Sequence, residues 1–109
     1  MKLYIKDRIY IPQLLPQQTT SFIDFNTKRD IIKKVMLTEA DKAKYEIVED
    51  SEEKKVTWNA QKDFDEPLEI KFTEGEIALM KKACESLPQS AYPDDFWMVV
   101  EKIYEESAS

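Results

Sequence analysis

Asp63-Phe64-Asp65-Glu66 places three carboxylates within four residues. Paired carboxylates serve as general acid and base, as in glycoside hydrolysis, or present hard oxygen ligands to a cation. An EF-hand loop opening at Asp63 fails, because Pro67 stands at a ligand position and no glycine follows at the turn. A carboxylate enzyme also needs a large cleft, which a chain of this size has little material to build. Phe64 is expected to pin the segment to the core. Cys84 is the one thiol. A nucleophilic cysteine needs an open electropositive setting and a base. Lys81 is a nearby cation, but the chain has no histidine and Cys84 sits on an apolar stripe. It reads as a small hydrophobe of the core. The densest basic stretch, Lys28-Arg29 with Lys33-Lys34, has the charge a phosphate backbone requires, and acids elsewhere offset it. The run Glu49-Asp50-Ser51-Glu52-Glu53 could attract a cation. Like charges cluster wherever water screens them, so it reads as a solvated turn.

The 109 residues carry 16 Lys+Arg against 22 Asp+Glu, a formal net charge of −6. That length fits one domain and leaves little room for two independent cores. Without histidine there is no imidazole base, no Ser-His-Asp or Cys-His arrangement and no imidazole metal ligand. One cysteine cannot form an internal disulfide or a multi-thiolate zinc site. Gly75 is the single glycine, so neither glycine-rich phosphate loop can be written. No stretch approaches the roughly 20 apolar residues of a membrane span. The first residues, Met1-Lys2-Leu3-Tyr4-Ile5-Lys6-Asp7-Arg8, meet charge before an apolar signal core can form. A reduced, cytoplasmic location is expected, with no membrane partner. The acidic balance argues against non-specific nucleic-acid binding. A charge of −6 is ordinary for solubility, and a DNA-mimicking surface is the sharper alternative.

The elements that must position these residues follow from period and punctuation. Leu3, Ile5, Ile9 and Ile11 alternate and are mostly β-branched, which favours a strand. A competing reading starts a short helix at Asp7, with Pro12 as an internal cost. Leu14 and Leu15, between Pro12 and Pro16, are expected to cover one end of the core. Thr19, Thr20 and Ser21 are N-cap candidates. Phe22, Phe25, Arg29, Ile32 and Val35 or Met36 recur at spacings of three and four, with Ile31 on the flank of that face. A helix is expected over 27–35, with 22–26 left open.

Tyr45 and Ile47, then Val56 and Trp58, alternate around the acidic tip. They predict a hairpin over 45–59 with a loop longer than the tightest type. Leu68, Ile70 and Phe72 alternate with charge and predict a strand over 68–72 paired with that hairpin. Thr73-Glu74-Gly75-Glu76 forms a capping box. It opens a helix over about 74–86, with Ile77, Met80, Cys84 and Leu87 inward and Leu79 and Ala83 beside them. A last helix over about 94–105 follows Pro93. Its apolar stripe is Phe96, Val99, Val100, Ile103 and Tyr104, with Met98 on the polar side and a frayed tail over 107–109. Val35-Met36-Leu37-Thr38-Glu39-Ala40-Asp41 shares its grammar with Ile70-Lys71-Phe72-Thr73-Glu74-Gly75-Glu76, the threonines lying 35 residues apart. Both read as a strand running into a capped helix, two solutions to one capping problem rather than a duplication.

One α+β domain over 1–109 is predicted. Its small antiparallel sheet (hairpin 45–59 plus strand 68–72) is packed by the two C-terminal helices and by an N-terminal segment, helical or extended. Aromatic residues concentrate at Trp58 and at Tyr92, Phe96 and Trp97. Exposed, such residues anchor interfaces; buried, they fill the core of a domain this small. Trp58, Tyr92, Trp97 and Met98 are the candidate interaction residues. No catalytic, cofactor-binding or metal-binding residue emerges. The expected partner is another protein or a second copy of the chain.

Several blocks resemble small uncharacterised proteins encoded by phages and prophages. They are Asp7-Arg8-Ile9 to Pro12-Gln13-Leu14-Leu15-Pro16, and Lys28-Arg29-Asp30-Ile31-Ile32-Lys33-Lys34-Val35. Tyr45-Glu46-Ile47 to Trp58-Asn59 and Phe72-Thr73-Glu74-Gly75-Glu76-Ile77 complete the order. The resemblance covers most of the chain. It implies a viral or mobile-element origin and a helical preference near the N-terminus, and it supplies no site. The function expected is that of a non-enzymatic accessory or interaction protein. One alternative is a nucleic-acid-related regulator, either a DNA mimic or a binder through Lys28, Arg29, Lys33 and Lys34. A carboxylate-based enzyme is the other.

Overall fold

Side-chain caps set most of the helix starts. A computed structural model describes every residue except Thr20, Gln89 and Ser109. Thr20 among the N-cap candidates, and the Ser109 end of the tail, therefore lie outside the described residues. The elements are β1 (Lys2–Leu3), α1 (Ile5–Leu14), α2 (Phe22–Val35), α3 (Glu39–Lys44), β2 (Val48–Asp50) and β3 (Lys55–Thr57). They continue with α4 (Ala60–Asp65), β4 (Leu68–Glu69), α5 (Glu74–Glu85) and α6 (Asp94–Ala108).

Ser21 Oγ accepts the Asp24 N–H at 3.0 Å and starts α2, so the open segment 22–26 is helical. Thr38 and Asp41 form a reciprocal box on α3, and Thr73 and Glu76 form one on α5. The capped half of the shared grammar thus holds at both places. The strand half holds at neither, because 35–37 is the end of α2 and its exit, and β4 stops at Glu69.

The class is α+β, but the sheet differs from expectation. β4 pairs antiparallel with β1, Lys2 opposite Glu69 and Leu3 opposite Leu68, and does not join the hairpin. Backbone bonds between Met1 and Ile70 extend the pair in both directions. The alternation was sound, since Leu68, Ile70 and Phe72 turn inward while Glu69 and Lys71 stay wet. The hairpin is the wrong partner because β2 and β3 are exposed at every residue and offer no apolar face. The hairpin itself is shorter than 45–59. Tyr45 closes α3 and is buried, its hydroxyl donating to the Glu66 carbonyl. The four-residue loop 51–54 is held by Asp50 Oδ1, which accepts the Glu52 and Glu53 N–H groups.

The N-terminal alternatives resolve as a two-residue strand followed by a helix that starts at Ile5, ahead of Asp7. Pro12 lies inside α1. An internal proline costs about 3 kcal/mol in an isolated helix; here Ile11, Leu14 and Leu15, all nearly inaccessible, offset it by burial. The core gathers these residues with Ile31, Val35, Met80, Phe96, Val99 and Ile103. α5 packs between α6 and α2. On α5 the inward stripe is centred on Leu79, Met80 and Ala83, with Ile77, Cys84 and Leu87 only partly buried, a rotation from the expected face. On α2 the face is rotated toward its flank: Val35 and Ile32 of the expected stripe do meet the core, while its aromatic end does not. Ile31 and Val35 point inward, whereas Phe22, Phe25 and Met36 are exposed at 78%, 49% and 51%. α6 runs three residues past 105, through Ala108. No helix among the described residues is long and apolar enough to cross a membrane.

Candidate binding groove

α1 begins on Tyr4, a residue with no side-chain group suited to capping, so its first amides need other acceptors. Asp7 Oδ2 reaches back to the Tyr4 N–H at 2.9 Å. Asp63 Oδ1, contributed by α4 from 58 residues downstream, accepts the Ile5 N–H at 2.9 Å. Two carboxylates thus sit at the positive end of one helix, where anions are stabilised. Both are buried, at 4% and 7% exposure. Lys102 from α6 donates to Asp7 Oδ2 at 2.5 Å, and its ammonium lies 4.7 Å from the Tyr4 ring centroid.

Burial is the main force raising the Asp63 carboxyl above its ordinary value, and the neighbouring Asp7 charge adds to it. The Ile5 N–H, Arg8 and Lys102 pull the other way without cancelling it. Arg8 is itself buried and points toward the α2 end. Its Nε donates to the Val35 carbonyl, and its Nη2 to the Met36 carbonyl and to Asp41 Oδ2 at 2.7 Å. Burial alone would raise Asp41, but the Arg8 and Thr38 hydrogen bonds overcome it and hold that carboxyl low.

Above the carboxylates lies a groove of about 650 Å³ between the start of α1, the Trp58–α4 segment and the first turns of α6. Tyr4, Trp58, Phe64 and Met98 make its apolar walls, and Asp7, Asp63, Lys6 and Lys102 its polar edge. Phe64 is 69% exposed. It is a wall of the groove and does not pin its segment to the core, because α4 is a single short helix that turns Asp63 inward and so leaves the next residue outward.

Of the four candidate interaction residues, the structure brings Trp58 and Met98 together here. Tyr92 is partly buried and stacks on Phe96 at 4.5 Å, so it belongs to the core margin. Trp97, 40% exposed, meets Tyr92 edge-on and borders a separate hollow with Cys84 and Tyr104. Burial pushes the Cys84 thiol up to about 11, so it stays protonated at neutral pH. Asp65 and Glu66 do not converge with Asp63. Asp65 accepts from Gln61, Glu66 lies 3.7 Å from Lys44, and both are exposed. Among the described residues no group of three or more His, Cys, Asp or Glu is placed to hold a metal. The basic run is partly consumed within the chain: Lys28 donates to the Pro16 carbonyl and Lys34 to Glu76, while the Arg29 guanidinium lies 6.0 Å from the Phe25 ring centroid.

Tyr4, Asp7 and Lys102 were not singled out from sequence. Asp7 was legible as the third residue beyond a helix cap, had the helix been started at Ile5. The role of Asp63 had no local signal, because its partner is 58 residues away. Compared with known proteins, the chain matches no family model, no curated protein and no solved structure.

Proposed function

We propose that this chain is a non-enzymatic interaction module, an accessory protein of the kind phages and prophages encode, and that the groove docks a side chain of a partner protein. The observation that carries the proposal is the concave surface of about 650 Å³ with Phe64 and Met98 exposed at 69% and 60% beside Trp58. Large aromatic and thioether side chains held in water cost the free chain free energy that burial against a partner returns, which is why such residues dominate interfaces. The test is selection of 12-residue peptides from a display library on the intact protein, counter-screened on Phe64→Asp and Met98→Glu. Enriched peptides are expected to lose about tenfold or more in affinity for either variant. Peptides that ignore both substitutions would remove the groove from the function.

A carboxylate enzyme is the second reading, favoured by the placement of Asp63 and Asp7 in one concave site. Against it, each acid holds a backbone amide of α1. Turnover of a panel of nitrophenyl glycosides, abolished by Asp63→Asn, would reverse the order of the two readings.

A further inference from the structure

Asp63 stands near the Lys102 and Arg8 charges, but it holds neither in a direct ion pair among the described residues. Among the described residues Lys102 pairs with Asp7 and Lys6 with Asp95, whereas Asp63 makes none of the ion pairs. Asp63 is 7% exposed and commits Oδ1 to the Ile5 N–H. Its Oδ2 accepts no hydrogen bond from the described residues. Nor is it sealed away, since the one described buried side-chain atom without a partner is Ser107 Oγ. Asp63 lines the groove, next to Trp58, Phe64 and Met98. A carboxylate that burial makes costly to ionise gains more from an arriving cation than an exposed one does. The chain already makes this pairing once at the same groove, where the Lys102 ammonium rests between the Asp7 carboxylate and the Tyr4 ring.

Resting on the docking role proposed above, we propose that the groove takes a lysine side chain of the partner protein, its ammonium on Asp63 Oδ2 and its methylene stem along Phe64, Met98 and Trp58. Aromatic and thioether walls beside the buried Asp63 and Asp7 carboxylates suit a primary amine on an apolar stem. A carboxylate ligand would meet Asp63 head-on.

The experiment follows Trp58 fluorescence in the full chain carrying Trp97→Phe, so that one indole reports. The probes are n-hexylamine, 1-hexanol, hexanoate and the capped tripeptide acetyl-Leu-Lys-Leu-amide. Hexylamine and the tripeptide are expected to bind about tenfold or more tighter than hexanol, and hexanoate weakest. Asp63→Asn keeps an oxygen for the Ile5 N–H and should bring hexylamine down to the affinity of hexanol. Equal binding of hexylamine and hexanol overturns the lysine proposal and leaves the docking groove standing. Preference for hexanoate overturns it too, and would make Lys6 and Lys102 the recognition residues. Hexylamine without the tripeptide replaces the partner lysine with a free amine and so rejects the proposal as stated. No binding by any probe overturns both readings. Should Asp63→Asn fail to fold, the comparison of amine and alcohol on the unsubstituted site decides alone.

Discussion

Helices α2 and α6 carry apolar residues at the same three-and-four spacing, yet they present them to opposite media. In α6 the stripe Phe96, Val99, Val100 and Ile103 is buried. In α2 the longer stripe, Phe22, Phe25 and Met36 around Arg29, faces water, and the core receives only Ile31 and Val35 fully. The difference teaches that period identifies a helix while its neighbours decide which face is used. α6 has one continuous apolar stripe, and the core takes it while Trp97 and Met98 stay outside. α2 has two, and polar contacts select between them. Lys34 is tied to the buried Glu76 of α5, and buried Arg8 of α1 grips the carbonyls of Val35 and Met36 at the α2 terminus. Turning α2 over would break both contacts, leaving buried Arg8 with Asp41 alone and buried Glu76 with its Thr73 cap alone, a larger penalty than a few exposed hydrophobes.

The sharpest way to break the comparison is on α6. Phe96→Ala should cost about 3–5 kcal/mol, because the ring is 1% exposed and packed by Tyr10 and Tyr92, whereas Met98→Ala two residues later should change stability by about 0.5 kcal/mol or less. Urea denaturation of the pair measures it, and similar losses for both would undo the inward assignment. On α2, Ile31→Ala should cost about 2–4 kcal/mol and Phe25→Ala under about 1 kcal/mol. The reverse ranking in thermal melts would mean that α2 packs on its aromatic side.

The polar selection has its own pH signature. Glu76 is held below its ordinary value of 4.5, since the Lys34 and Thr73 bonds outweigh burial, and Asp41 is held below 3.8 by Arg8 and Thr38 against burial. The unfolded chain therefore takes up these protons first. The stabilisation is complete above those ordinary values and disappears as pH falls through the lower folded ones. Glu76→Gln should lose about 1–3 kcal/mol near pH 7 and converge on the parent at about pH 2. Parallel stability curves across that range would show that the pair does not hold α2. The smallest effect lies outside both helices. Lys54 has φ 52°, so Lys54→Gly should be neutral or add up to about 1 kcal/mol. A clear loss would contradict the left-handed turn.

What was legible in the sequence was local. Thr73 and Glu76, or Thr38 and Asp41, announce a helix start because cap and amide lie three residues apart. Leu68, Ile70 and Phe72 announce which side is wet because alternation is a property of the strand alone. The pairing of β4 with β1, the facing of α2 and the reach of Asp63 to Ile5 each depend on a residue far along the chain. Nothing near those positions encodes the partner. The groove was half visible for the same reason: Trp58 and Met98 could be named as large residues near polar ones, but not placed opposite each other.

The hairpin offers a practical handle. Its ten residues, 48–57, are exposed throughout, while its base is fastened by the Asn59 N–H on the Tyr45 carbonyl at 2.7 Å and by Asn59 Nδ2 on Glu46. Foreign sequence spliced between Glu52 and Glu53, such as an epitope or a dye-labelling tag, would hang from that clasp away from the helical body, giving a reporter that leaves the groove untouched.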